Sequence, residues 1–368
     1  ADRPGRWMRR AVGVAVAAAL ASAIWFQRST IVEALAEMRG MAAGAVALLV
    51  LLGIGERLTR ADILRRLLGR PSFGRALTIH DVGSAASKGV PLGGPLATAL
   101  RWSIARDASI PTTTFMSALV AYGVATTYVT WLLPLGWLVA DAAQRTPTTT
   151  DVAALVVCVV VLGGSTLFWA VMLGSERVAE RLATWIDGLH LRIVARFPAA
   201  GAHDPGAALI DVRSSLRLVA RQPFGLLARI AIAQSIGAVI LLVSLRGLGV
   251  GAELGTVEFL RIFFVVTLLS SFVPVPGGLG VVEAGLTAAL VAAGVEPSTA
   301  LAAVLVYRLF TYVAPILVGA VLFAAWRVRR VAPSVHDLDG VNATEHGEIV
   351  RARGNAPATG RGAAVGIE

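Results

Sequence analysis

Long apolar stretches separated by short arginine-rich connections set the pattern of this chain. Segments 11–26, 41–55, 113–140, 152–174, 224–246 and 299–326 are almost free of charge. A run of roughly 18–20 such residues is what crosses a bilayer as a helix. The first two are shorter, so their helices are expected to extend into the flanking polar residues. Trp25, Trp131, Trp137, Trp169 and Trp326 fall toward segment ends, where an interfacial aromatic belt places them. Two further stretches, 76–108 and 257–294, are equally apolar but are cut by Pro and Gly, and neither reads as one uninterrupted helix.

Composition narrows the class. Of 368 residues, 56% are hydrophobic and only 15% charged, with a mean hydropathy of +0.73, which excludes an ordinary soluble enzyme. The net charge of +10 and a pI near 11.1 would fit an acidic polymer as partner until the charges are placed on the chain. With the N-terminus in the cytoplasm, 26 arginines fall on the inner side and five (Arg28, Arg39, Arg145, Arg246 and Arg261) on the outer. That asymmetry is a topology signal, and nucleic acid is not expected as a partner. The arginine-rich start, Ala1 to Arg10, reads as the flank of a first spanning helix rather than a cleaved signal. Cys158 is the single cysteine and lies in an apolar run, so neither a disulfide nor a cysteine metal site is expected.

Orientation constrains the two broken stretches. The connections on either side of 76–108 are both cytoplasmic, and those around 257–294, near Gly249 and Gly294, are both external. Each stretch therefore returns to the face it left, as a re-entrant hairpin, and the two enter from opposite faces. A repeat at an offset of 185 agrees: Val90-Pro91-x-Gly93 aligns with Val275-Pro276-x-Gly278, Thr114 with Thr299, Tyr122 with Tyr307 and Thr126 with Thr311. The predicted fold is an all-α polytopic membrane protein, an inverted repeat of three spanning helices plus one Pro/Gly-broken re-entrant hairpin per half. Its membrane domain covers 1–327, in halves of about 1–145 and 150–327, with a cytoplasmic amphipathic insert over 175–222. Residues 328–368 read as a disordered cytoplasmic tail.

Catalytic patterns are missing: there is no HExxH, no GxSxG and no P-loop lysine after a glycine run. No cofactor and no metal site is expected. His80-Asp81, at the start of the first hairpin, reads as a solvated helix cap. The sharpest feature is Phe272-Val-Pro274-Val-Pro276-Gly277-Gly278-Leu279-Gly280-Val-Val-Glu283. Pro and Gly there stop a helix inside the apolar region, and such backbone is tolerated where it is buried in protein or lines a polar cavity. A half-helix starting near Gly280 would present its amides to an anion such as phosphate. Glu283 and Arg308 are ionisable residues in apolar surroundings, open to pairing with each other or to substrate contact. Lys88, before Pro91-Leu92-Gly93-Gly94-Pro95, could meet a headgroup phosphate or snorkel to the interface. Arg101, at the exit of that hairpin, could do the same or rest at the lipid interface.

The order Pro274-Val-Pro276-Gly277-Gly278-Leu-Gly280-x-x-Glu283, then Gly294, Ala302-Ala303, Tyr307-Arg308 and Pro315-x-x-x-Gly319, resembles the flippase-like transmembrane domain of lysylphosphatidylglycerol synthases and their stand-alone relatives. The resemblance implies that Pro276, Gly277, Gly278, Gly280, Glu283 and Arg308 are motif positions. It also implies a bacterial inner-membrane protein with both termini cytoplasmic. The first half departs from the pattern, since Pro91-Leu-Gly-Gly-Pro95 reaches Arg101 without a Glu. No aminoacyl-transferase domain is expected after 327, so the chain is not expected to make a modified lipid. The expected function is non-enzymatic translocation of an anionic or modified phospholipid, or of a polyprenyl-phosphate-linked lipid. Two alternatives stay open: a secondary transporter of a small polar solute, and a non-transporting scaffold whose partner is an envelope biosynthetic enzyme.

Overall fold

A computed structural model describes residues 3–90, 93–178, 180–181, 184–185, 188, 223–250, 254–273 and 275–331. Among the described residues the secondary structure is helical, with no strand. Contacts divide the chain into a unit Ala1–Leu322 and a unit Phe323–Glu368. Of the second unit only 323–331 is described, a helical end in which Arg327 and Arg330 lie over the rings of Phe323 and Trp326. The predicted insert 175–222 falls mostly, and the tail beyond 331 wholly, outside the described residues, as do Pro91 and Pro274.

In chain order the first helices are α1 (Arg3–Phe26), α2 (Arg28–Arg39), α3 (Ala43–Leu67), α4 (Phe73–Gly89), α5 (Gly93–Asp107), α6 (Thr112–Ala142) and α7 (Thr149–Gly174). After the undescribed stretch come α8 (Pro223–Gly247), α9 (Thr256–Ser270), a single 3₁₀ turn (Pro276–Gly278), α10 (Val281–Ala292) and α11 (Pro297–Arg308). A π-helical turn, Leu309–Val313, then leads without a break into α12 (Ala314–Val331).

Among the described residues four helices are long and apolar enough to cross a membrane: Thr112–Ala142, Asp151–Gly174, Phe224–Gly247 and Pro297–Arg330. A fifth arises if Gly13–Phe26 and Arg28–Arg39, which bend by 50°, form one span. The sequence pattern predicts six. Of the two predicted spans outside the four, 11–26 belongs to the bent pair and 41–55 lies in a helix that does not stop at its apolar end but runs on to Leu67 and so carries Glu56, Arg57 and Arg60 in the same rod. The lipid-facing character is plainest in α7, where Val156, Val159, Val160, Leu167 and Phe168 are all exposed.

The broken stretches resolve into two pairs of shorter helices. α4 packs along α5, and the tight approach at their junction requires Gly93, where a Cβ would collide with the Ala86 carbonyl. α9 packs on α10 across the turn containing Gly277, Gly278 and Gly280. At 15 and 12 residues, α9 and α10 are too short to span a bilayer singly. The halves do not fold apart: α3 packs on α8, and α6 on α9. The largest buried cluster, with Leu49, Leu241, Leu245, Phe259, Leu286 and Leu290, joins α3 to α8, α9 and α10.

Ion pairs tie the ends together. Arg261 of α9 reaches Asp141 at 3.0 Å and Asp151 at 3.2 Å, so the start of α9 sits against the α6–α7 connection. Arg145 pairs with the same two carboxylates. Residues 248–250 and Leu254 before α9 line one hollow of about 260 Å³ with residues 293–296 after α10, so the α9–α10 pair begins and ends at the same place.

Candidate functional site

Glycine and proline chemistry makes the site possible. After Ser270 the chain leaves helical geometry, and Gly277 takes φ +63° with the Tyr312 ring packed where its Cβ would stand. Gly280 takes φ +75° and starts α10 with no side-chain cap on the first amides. Both conformations lie in the left-handed region that side chains disfavour. Pro276 begins this turn, and Glu283 stands in the first turn of α10, where the helix dipole favours a carboxylate.

Arg308 reaches back into that turn. Its Nε donates to Glu283 Oε1 at 2.8 Å, its Nη2 donates to the Gly277 carbonyl at 2.9 Å, and its guanidinium lies 4.5 Å over the Tyr312 ring. Arg308 is 6% exposed, and the Glu283 Oε2 atom is buried with no partner. Between the two roles left open by the sequence, pairing is what the geometry shows, and the paired guanidinium still faces a cavity.

The first hairpin meets the second here. Lys88, in the last turn of α4, donates its Nζ to the Thr311 carbonyl at 2.6 Å, and Tyr312 Oη donates to the Lys88 carbonyl at 2.8 Å. A π-turn loosens the i→i−4 ladder and is a frequent feature of functional positions. Here it turns the Thr311 carbonyl to a side-chain cation. Lys88 is therefore held against the π-turn.

Between these parts lies a cavity of about 370 Å³. Its charged wall is Glu56 and Arg60 from α3, Lys88 from α4 and Arg308 from α11; its polar wall is Thr126, Thr130, Gln234, Thr267, Ser271 and Thr311. Tyr307, Phe263, Phe264, Leu268 and Val282 close the apolar side, with the Tyr307 ring edge-on to Phe263 at 5.8 Å. Glu56 and Arg60 pair at i,i+4 spacing at 2.9 Å. Gln234 Nε2 donates to Thr130 Oγ1 at 3.3 Å. The hydroxyls of Thr126 and Thr267 are buried without a partner in the protein.

Several sequence expectations come together, and others do not. Lys88, Gly277, Tyr307 and Arg308 line the cavity, and Glu283 stands behind Arg308. Gly93 serves the α4–α5 contact, Gly94 faces open space, and Gly278 meets Val282. Arg101 is not on the cavity wall: it folds over Gly83 of α4, where a Cβ would collide with the guanidinium chain, and its Nε is buried without a partner. The His80-Asp81 reading as a solvated cap is overturned. Both residues are buried in the middle of α4, with Asp81 paired to Arg57 of α3 and to His80 Nδ1 at 2.9 Å.

The site residues that sequence reasoning missed are Glu56, Arg60, Thr130, Gln234, Thr267, Ser271 and Tyr312. Glu56-x-x-x-Arg60 offered a usable signal, an acid and a base on one helix face directly continuing an apolar run. Among the described residues no group of His, Cys, Asp and Glu has the arrangement of a metal site.

Residues 10–319 match the family described as lysylphosphatidylglycerol synthase TM region. A search of curated proteins gives no match.

Proposed function

From the membership of this chain in the lysylphosphatidylglycerol synthase TM-region family, we propose that it moves a lipid with an anionic headgroup across the bacterial inner membrane, without itself carrying out a chemical reaction. The observation that carries this reading is the cavity of about 370 Å³, where Arg60, Lys88 and Arg308 meet a ring of hydroxyls amid otherwise apolar helices. Charges in such surroundings mark the paths of polar groups through membranes. A headgroup would cross through the polar wall while its acyl chains stay beside the exposed apolar faces. Lipids are then the partners, and any envelope biosynthetic enzyme would act before or after this step.

In this reading the α4–α5 and α9–α10 pairs are re-entrant hairpins entering from opposite faces, within an inverted repeat and with cytoplasmic termini. Three observations support it. The tip of α4 and the turn at Gly277 both abut Tyr312, near the middle of the 34-residue span Pro297–Arg330. The flanks of α9–α10 share one hollow. The offset of 185 also carries the helices onto one another: moving the first residues of α4, α5 and α6 by 185 gives 258, 278 and 297, beside the observed starts at 256, 281 and 297.

Reconstitution into liposomes with acyl-chain-labelled lipids, with movement read by an impermeant quencher, tests the function. The protein is expected to accelerate transbilayer exchange of anionic lipids and Arg308→Gln to slow it. Folded protein that accelerates no lipid would remove the proposal.

A further inference from the structure

The charge balance of the cavity narrows the headgroup further, on the premise that the site handles lipids. Each arginine on the wall has a carboxylate of its own: Arg60 holds Glu56 at 2.9 Å and Arg308 holds Glu283 at 2.8 Å. The nearby Arg57 and Asp81 also pair with each other. Lys88 is different, because its bonded partner is the neutral carbonyl of Thr311. Among the described residues Lys88 is thus the cation of the wall that makes no direct ion pair, and burial makes such a charge expensive until an anion meets it.

The polar surface around that charge is hydroxyl-rich. Thr126 Oγ1 and Thr267 Oγ1 lie buried without protein partners, and each can both donate and accept. A headgroup ammonium would instead need a free carboxylate on the wall; Glu56 is held there by Arg60, and Glu283, whose Oε2 is unpartnered, stands behind Arg308 and does not line the cavity.

We propose that the cavity selects a monoanionic phosphodiester whose headgroup ends in a neutral polyol, with Lys88 facing the phosphate and Thr126 and Thr267 the hydroxyls, and that it disfavours zwitterionic and aminoacylated headgroups. The phosphodiester supplies the single negative charge that Lys88 lacks, and the polyol supplies the missing hydrogen-bond partners. One charge too many, or an added ammonium, leaves an unpaired ion in a poorly solvated space.

The full chain is reconstituted in phosphatidylcholine vesicles holding trace acyl-chain-labelled phosphatidylglycerol, phosphatidylmethanol, phosphatidylethanolamine or lysyl-phosphatidylglycerol. Short-chain forms of the same lipids are tested in detergent for thermal stabilisation. Phosphatidylglycerol is expected to move, and to stabilise, about tenfold or more better than the ethanolamine and lysyl lipids. Lys88→Met should reduce that advantage to near one. Because Lys88 also holds the Thr311 carbonyl, a second variant, Thr126→Val with Thr267→Val, keeps the shape of the wall. It should bring the ratio of phosphatidylglycerol to phosphatidylmethanol movement to near one, whereas a ratio that stays at its natural value overturns the role given to the two hydroxyls. Equal movement of all lipids overturns the selectivity and leaves translocation standing. Selective stabilisation by phosphatidylglycerol without movement of any lipid overturns translocation and leaves the selectivity standing. Competition by soluble glycerophosphoglycerol as strong as by the lipid overturns the assignment to a lipid in favour of a free solute.

Discussion

Arg308 is held by a carboxylate, a backbone carbonyl and an aromatic face at once. Removing one partner of such a buried pair leaves the other ion unpaired, at about 3–5 kcal/mol. Arg308→Gln and Glu283→Gln are each expected to destabilise the protein strongly, and the double variant by clearly less than their sum, in a thermal-unfolding cycle. Arg308→Lys should not rescue, because an ammonium cannot make both bonds in the same plane. At Gly277, alanine faces an unfavourable φ of about 1–3 kcal/mol and also the Tyr312 ring. Gly280→Ala meets only the backbone cost, since nothing lies within 4 Å of its Cβ position. Gly277→Ala should therefore lower the unfolding temperature more than Gly280→Ala. These residues were legible in the sequence because an ion or a glycine run stands out against apolar neighbours. Glu56 and Arg60 were not, because they sit where an apolar run ends and arginines are counted toward the inner face. Their i,i+4 spacing was the signal that could have found them, and the continuous helix α3 brings the two together.

At the scale of elements, the short helices depend on their ends more than on their lengths. α11 starts after the loop that closes the second hairpin, and Glu296 caps it by accepting the Ser298 and Thr299 amides at 3.0 and 2.8 Å. Hydrogen bonds from the Ser298 side chain and backbone, and then from Thr299, hold the Glu296 carboxyl down to about 2. A lowered carboxylate value means stability that is present above the unfolded value near 4.5 and is lost as pH falls toward 2. Glu296→Gln should thus lower the unfolding temperature at pH 7, and the gap to the natural chain should close as the pH is taken below about 4. The breaks into pairs of short helices were legible from Pro and Gly placement. The clamp between α3 and α4 was not: Asp81 and its partner Arg57 lie 24 residues apart, and a local reading of His80-Asp81 sees only a polar pair beside a loop.

For the whole molecule, the decisive property is sidedness. Ser72 and Ser109 are exposed in the connections around α4–α5, while Gln144 and Gly255 are exposed in those around α6–α7 and α9. Cys158 is buried, so a Cys158→Ser background leaves single cysteines at those four positions readable by an impermeant thiol reagent in intact cells. Gln144→Cys and Gly255→Cys should label from outside, and Ser72→Cys and Ser109→Cys only after the membrane is opened. Labelling of all four from one side would overturn the opposed-hairpin arrangement. The apolar class and the arginine asymmetry were readable without coordinates because they are sums over the chain. The number of spanning helices was not, since the short apolar run 41–55 reads as a span although its helix continues through Glu56, Arg57 and Arg60.

The π-turn at Leu309–Val313 carries a further consequence. A wider turn accommodates an extra residue, and each residue added to or removed from a helix rotates everything beyond it by about 100°. Before the turn, Tyr307 and Arg308 face the cavity; beyond it, Gly319 lies so close to α4 that a Cβ would strike the Asp81 carbonyl and Ala85. These two stretches of one helix are thus clocked independently, like two wheels on a shaft with a key between them. Thr311 and Tyr312 fix the cavity side of the turn, and deleting a single residue there would in addition swing a bulkier neighbour of Gly319 into α4. The length of this turn is therefore constrained in its own right, independently of the contacts its side chains make.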